Sequence, residues 1–348
     1  MRVRTLLVRA DAGVAMGTGH VMRCLALAQA WQDIGGRAVF AMAASTPAVT
    51  ELLHREKFDV VSLGCSAGSV EEATQTAGVA MQWNSEWVVV DGYQFGAEYQ
   101  DALKRERYRV LFIDDNGRAG KYSAEIVLDQ NPNVDDSAYS DRASNTKLLL
   151  GPKYVLLRRD FDGWLKWEPY IPETARRILI SMGGSDPDNL TLSAIHVLES
   201  ADVGDAEITV IVGGSNPHNE ALKDAAQRRK PVRFEFDVQG MAEFMSHSDV
   251  AMIAAGGTLW EALYMMCPVI CYARDRAQYQ LIEPLQSEGV LTAVGADDQS
   301  RRSAREALRS LLASKAKREE FSKRGREVVD GRGAKRVATI LWGNEEAE

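Results

Sequence analysis

Apolar and polar positions follow two rhythms along this chain. Short apolar runs, TLLVR (5–9), AVFAM (38–42), DVVSL (59–63), WVVVD (87–91), VLFID (110–114) and EIVLD (125–129), are separated by longer stretches such as HVMRCLALAQAWQDIG and PAVTELLHREK. In those stretches apolar residues recur three to four positions apart. Unbroken apolar runs of strand length predict strands buried on both faces, and the helical spacing between them predicts helices that cover the sheet. The first part of the chain is therefore expected to form an α/β layer around a parallel sheet.

DFDGWLKWEPYIPE (160–173) interrupts this rhythm with a glycine, two prolines and bulky aromatics. Beyond it the pattern restarts with RILISMGGSDPDN, ITVIVGGSNP, VRFEFD, DVAMIAAGGT and PVICYA. The expected organisation is a domain over 1–160, a linker over 161–175, a second domain over 176–330, and a helical, charged tail over 331–348. In doubly wound sheets ligands bind beyond the carboxyl ends of the strands, so function is expected in the loops after strands and in a cleft between the two halves.

Composition narrows the class. A length of 348 residues, 45% of them hydrophobic, suffices for two domains with sizeable cores. A formal charge of −8 argues against a phosphate-tracking nucleic-acid surface. The RRK run at 228–230 and SKAKREEFSKRGRE read as solvated helix faces. Cys24, Cys65, Cys267 and Cys271 lack paired CxxC spacing and read as free thiols in a reducing compartment. The apolar stretch near the N-terminus is short and broken by Arg9, and no apolar run approaches the about 20 residues that span a bilayer. A cytoplasmic protein without membrane or nucleic-acid partners is expected. The sequence does not fix the oligomeric state, and a monomer is expected.

Three glycine-rich loops follow strands. ISMGGSDPDNLT (180–191) places Gly183 and Gly184 at a strand end, with Ser185 or Asp186 as the cap of a helix starting near Asn189. IVGGSNPHNE (211–220) is the second, and MIAAGGTLWEAL (252–263) sets Gly256 and Gly257 before a helix that contains Glu261. Glycine admits a close ligand, and a helix start offers N–H donors and a favourable dipole to phosphate oxygens. A carboxylate one turn further on suits the two hydroxyls of a ribose. None of the loops fits GxxxxGK[ST] or a full GxGxxG fingerprint. The pairs Asp114–Asp115 and Asp135–Asp136 read as solvated loop ends rather than metal ligands; neither a metal nor a cofactor is expected.

Among five histidines, His20 is the one placed directly after a strand and a glycine turn, in MGTGHVMRC. Gly17 and Gly19 permit the turn, and Val21, Leu25, Ala28 and Trp31 then face the sheet. The positive end of a helix disfavours an imidazolium, which suits a general base.

RADAGVAMGTGHVMRCLALA, VVVDGY (88–93), DQNPNVDDSAY (129–139), LLLGPKYVLLRRDF (148–161), MGGSDPDNLT and AAGGTLWEAL occur in an order that resembles the UDP-2,4-diacetamido-2,4,6-trideoxy-β-L-altropyranose hydrolases of pseudaminic acid biosynthesis (PseG). The resemblance runs from about residue 4 to residue 290. It implies the MurG-like GT-B fold of two Rossmann-like domains, and metal-independent, inverting hydrolysis of a UDP-sugar in a route to flagellin glycosylation. It further implies His20 as general base for water, Asp11 near the sugar or supporting His20, and Gly19 and Tyr93 in the sugar pocket. Gly184, Ser185, Gly256, Gly257 and Thr258 would hold the diphosphate, and Glu261 the ribose. Where the family commonly has an Asn-Gln pair, this chain has Ala277 before Gln278, which loses one directional bond to the sugar and leaves its stereochemistry open. Two other readings fit similar residues: a GT-B glycosyltransferase using a UDP-sugar donor, and a catalytically silent nucleotide-sugar-binding protein.

Overall fold

The computed structural model describes residues 3–201, 203–228, 232–295 and 298–343. Positions 229 and 230 of the basic RRK run and the last five residues lie outside them. The chain forms two compact units: the first comprises 1–13, 20–159 and 331–348, the second 14–19 and 160–330.

The first unit is built on β1 (Thr5–Ala10), β2 (Arg37–Met42), β3 (Asp59–Ser62), β4 (Ser85–Asp91), β5 (Arg109–Ile113), β6 (Ile126–Asp129) and β7 (Lys147–Leu150). These strands make one seven-stranded sheet in the order β3-β2-β1-β4-β5-β6-β7, with every pairing parallel. All six residues of β1 are buried, as a strand covered on both faces requires. Leu6, Val8 and Ala10 pack on one face with Val21, Leu25, Ala28 and Trp31 of the helix Gly19–Asp33, while Leu7 packs on the other with Ala73, Ala77 and Ala80.

The second unit repeats the plan with β8 (Arg177–Ser181), β9 (Glu207–Val212), β10 (Val232–Phe236), β11 (Val250–Ala254), β12 (Val269–Tyr272) and β13 (Leu291–Val294). Its six-stranded sheet runs β10-β9-β8-β11-β12-β13, again with parallel pairing throughout. Two doubly wound Rossmann-like units are the GT-B fold.

The pattern of the sequence did not reveal β7 and β13. Each is a four-residue strand at one end of its sheet. The segment expected to be a linker is tied into the second unit. The Tyr264 hydroxyl donates to the Phe161 carbonyl at 3.3 Å, and the fully buried Arg318 guanidinium donates to the carbonyls of Pro172 and Glu173. The expected tail contains the helix Gly333–Trp342, which belongs to the first unit: Val337, Ala338 and Leu341 are fully buried in the core around Trp31.

Candidate functional site

The order of the first sheet reverses between β1 and β4: from β1 the chain proceeds outward through β2 and β3, and it then returns to place β4 on β1's other side. The two loops leaving such a pair diverge and open a crevice at the carboxyl end of the sheet. The helix Gly19–Asp33 starts above it. His20, Arg23 and Cys24 stand at i, i+3 and i+4, hence on one helical face, and all three meet Asp91, the last residue of β4.

Asp91 is completely buried. Its Oδ1 lies 2.7 Å from His20 Nδ1 and 2.7 Å from an Arg23 terminal nitrogen, while its Oδ2 accepts from Arg23 Nε at 2.6 Å and from the Cys24 thiol at 3.6 Å. Burial opposes ionisation of this carboxyl, but the Arg23 guanidinium, helped by His20, outweighs it and holds Asp91 far below the usual carboxylate range. An ionised carboxylate only accepts hydrogen bonds, so Nδ1 carries the ring proton and Nε2 is the basic nitrogen. The approach of Arg23 to Nδ1 at 3.3 Å is then a packing contact, since that nitrogen has no lone pair to offer.

Arg23 also grips Asp115 at 2.9 Å. Burial likewise opposes ionisation of Asp115, and Arg23 again prevails, lowering it; Asn131 Nδ2 donates to it at 2.9 Å. Tyr93 completes the group. Its hydroxyl donates to Asp115 at 3.2 Å, and its ring meets that of His20 at 87° with centroids 4.8 Å apart. Burial of the phenol and the nearby Asp115 push Tyr93 up to about 12, so it remains a donor at neutral pH. Even so, 56% of the residue faces solvent, an unusual exposure for a tyrosine held on two sides.

Several sequence expectations take a different form here. Asp91, Arg23 and Asn131 were not singled out, although Asp91 sits in the DGY motif and Arg23 one turn after His20. Asp114 and Asp115 are not solvated loop ends: Asp114 is 5% exposed and bound by the Tyr122 hydroxyl, while Asp115 is paired with Arg23. Asp135 and Asp136 do lie on an exposed turn. Asp11 is fully buried, clasped by Arg9 at 2.7 and 2.8 Å, and accepts from the Ala43 and Ala44 amides and Gln94 Nε2. It fixes the loops after β2 and β4, while the bond that orients His20 comes from Asp91. Gly19 is exposed at the helix start.

In the second unit the switch of strand order falls between β8 and β11, and the loops after them are the two that contain Gly184 and Gly256. They differ at the helix start, where of the two caps the sequence offered, Ser185 and Asp186, it is Asp186 that caps. The Asp186 carboxyl accepts from the Leu190 and Thr191 amides and the Thr191 hydroxyl, so the start of the helix Leu190–Ala201 already holds a side chain of its own. The helix Gly257–Tyr264 has no side-chain cap, and Gly256 and Gly257 are exposed with open space where a Cβ would project. Thr258 and Glu261 follow, both partly buried. Gly213, in the loop after β9, could not carry a side chain: a Cβ there would collide with the carbonyls of Gly183 and Gly184, so that loop braces the one after β8. Gln278 accepts the Arg274 amide on Oε1 at 2.9 Å. Among the described residues no three His, Cys, Asp or Glu side chains are grouped to hold a metal ion, and no helix is long and apolar enough to cross a membrane.

This architecture is that of known GT-B proteins. The structure is similar to MurG of Acinetobacter baumannii, with a TM-score of 0.65 at 15% identity over 98% of this chain and 100% of that one. It is also similar to MnaA of S. aureus solved with UDP, with a TM-score of 0.69 at 12% identity over 99% of this chain and 98% of that one. In sequence the chain is similar to the spore coat polysaccharide biosynthesis protein SpsG of Bacillus subtilis, 24% identical over 339 residues, 95% of this chain and 96% of SpsG. It is likewise similar to the UDP-2,4-diacetamido-2,4,6-trideoxy-β-L-altropyranose hydrolase of Campylobacter jejuni, 24% identical over 275 residues, 78% of this chain and 93% of that enzyme. The resemblance seen in the motifs therefore holds along most of the chain. No protein-family model matches it.

Proposed function

We propose that the protein hydrolyses a UDP-activated, di-N-acetylated trideoxy sugar to UDP and free sugar, a step in making a pseudaminic-type acid. The observation that carries this reading is the bond between His20 Nδ1 and the buried Asp91 carboxylate, which leaves Nε2 as a base at the switch point of the first sheet. In the reaction Nε2 takes a proton from water as the water oxygen bonds to the anomeric carbon. The bond from that carbon to the phosphate oxygen breaks, UDP leaves with the electron pair, and the anomeric configuration inverts. The imidazolium formed lies against Asp91, which stabilises it. Tyr93 and the Gln278 amide would contact the sugar. Gly256, Gly257 and Thr258, at a helix start without a side-chain cap, would receive the diphosphate, with Gly184 and Ser185 beside it and Glu261 on the ribose.

Incubation with a panel of UDP-sugars, including di-N-acetylated trideoxy sugars, in heavy-oxygen water tests the reading. Free sugar carrying the label is expected, and label in UDP would mean attack at phosphorus. His20→Ala is expected to keep UDP binding and to lose about 100-fold to 10,000-fold in turnover. Product formed only when an alcohol acceptor is supplied would assign the same base to glycosyl transfer, and UDP-sugar binding with no turnover would assign the protein to a sensor role.

A further inference from the structure

The group around His20 contains a cation that the hydrolytic reading leaves unused. Arg118, on the loop after β5, places its guanidinium carbon 4.0 Å from the centroid of the Tyr93 ring. Among the described residues it has no carboxylate partner, and it is exposed.

Its position is nevertheless fixed by its neighbours. Asn116 and Gly117 turn the backbone through positive φ, at 58° and 72°. A side chain at Gly117 would run into the Ala138 carbonyl. Three successive anchors hold the loop's amides: Asn116 N donates to Asp129 at 2.6 Å, Gly117 N to the Tyr139 hydroxyl at 3.2 Å, and Ala119 N to Asp114 at 3.4 Å. All three acceptors are buried. A surface arginine on a mobile turn gains little from order, whereas this one is delivered to one aromatic face, and that ring adjoins His20. A guanidinium lying over a ring spends no N–H on it, so its fork of donors stays open to a ligand oxygen.

We propose that Arg118 is a substrate-binding residue that donates to an oxygen of the nucleotide sugar; this rests on the nucleotide-sugar reading above. The acceptor is a phosphate oxygen of the diphosphate or the acyl carbonyl of an N-acetylated sugar, both of which suit a donor-only, charged fork.

Calorimetric titration of wild type, Arg118→Ala and Arg118→Lys with UDP, UDP-glucose and UDP-N-acetylglucosamine separates the two sources. About 10-fold to 100-fold weaker binding of all three ligands by Arg118→Ala, as for loss of a charge-assisted bond, places the contact on the diphosphate. The same loss confined to UDP-N-acetylglucosamine places it on the acyl group. In either case the lysine variant should fall between, with an unchanged melting midpoint. Wild-type affinities in both variants, or weakening that tracks a lowered melting midpoint, would overturn the assignment. Turnover by the wild type together with unaltered binding by Arg118→Ala would remove Arg118 and leave the hydrolase reading standing; weakened binding without any wild-type turnover would do the reverse. Failure of the wild type to bind any of the three would overturn both.

Discussion

The smallest unit that explains the site is Asp91, because one carboxylate holds the His20 ring, anchors Arg23 and sits at the end of a buried strand. Asp91→Asn keeps the shape but allows the amide to donate to Nδ1, which would favour the tautomer with its proton on Nε2. The expected result is a loss of about 100-fold to 10,000-fold in turnover with UDP affinity retained. The same variant has a stability signature. The folded protein holds Asp91 below its unfolded value near 4, so its ionised form adds stability that is fully present above about pH 4. That stability is lost as pH falls through the lower folded value. Acid titration of the melting midpoint should therefore show a shallower fall below pH 4 in Asp91→Asn than in wild type. Parallel curves would mean that Asp91 is not ionised against Arg23 in the folded protein. His20 was legible in the sequence from its place after two glycines at a strand end. Its partner lies 71 residues away on a neighbouring strand, and adjacency across a sheet leaves no local spacing to read.

At the scale of elements, the two glycine loops at the switch point of the second unit are not equivalent in structure. Asp186 fills one helix start, whereas the start at Gly257 lacks a side-chain cap. Asp186 was legible as one of two candidate caps, and positive φ at Asp186 and Asn189 is the conformation in which its side chain meets its own helix. If the diphosphate rests on the helix Gly257–Tyr264, Glu261 stands one turn along it for the ribose. Glu261→Gln should then weaken UDP binding by about 1–3 kcal/mol while leaving turnover of bound substrate nearly unchanged. Titration with UDP and 2′-deoxy-UDP checks this: the wild type should favour the ribonucleotide and the Gln variant should largely lose that preference. Equal discrimination by both proteins would move the ribose elsewhere. The core strands that build both switch points were legible because apolar runs dominate their windows, and β7 was not because the apolar pattern around it continues past Gly151 and Pro152 into YVLL, which is not strand.

At the scale of the molecule, the chain visits the second unit and then returns to the first. The helix Gly333–Trp342 has an amphipathic pattern that announces a buried face, but such a pattern does not say which sheet it will cover. Its place is set by contacts far apart in sequence. Trp87 Nε1 donates to the Leu341 carbonyl at 3.0 Å, and Trp342 packs on Trp31 with ring centroids 4.7 Å apart. Gly333 is tight enough against Val155 that a Cβ would collide with its carbonyl. Ending the chain after Asp330 would uncover the pocket that Val337 and Leu341 fill, at a cost of roughly 3–6 kcal/mol for those two side chains. That is a large share of the stability of one domain. Hydrogen exchange should resolve the effect by strand: in the truncated protein the amides of β1 and β4 should exchange faster, while those of β8 and β11 keep their protection. The His20–Asp91 pairing stands on β4 and on the helix packed over β1, so turnover should fall with the protection of those strands. Because the glycine-led helix start belongs to the second unit, UDP affinity should fall less. Unchanged exchange in β1 and β4 would show that the terminal helix is an ornament on the first unit rather than part of its core.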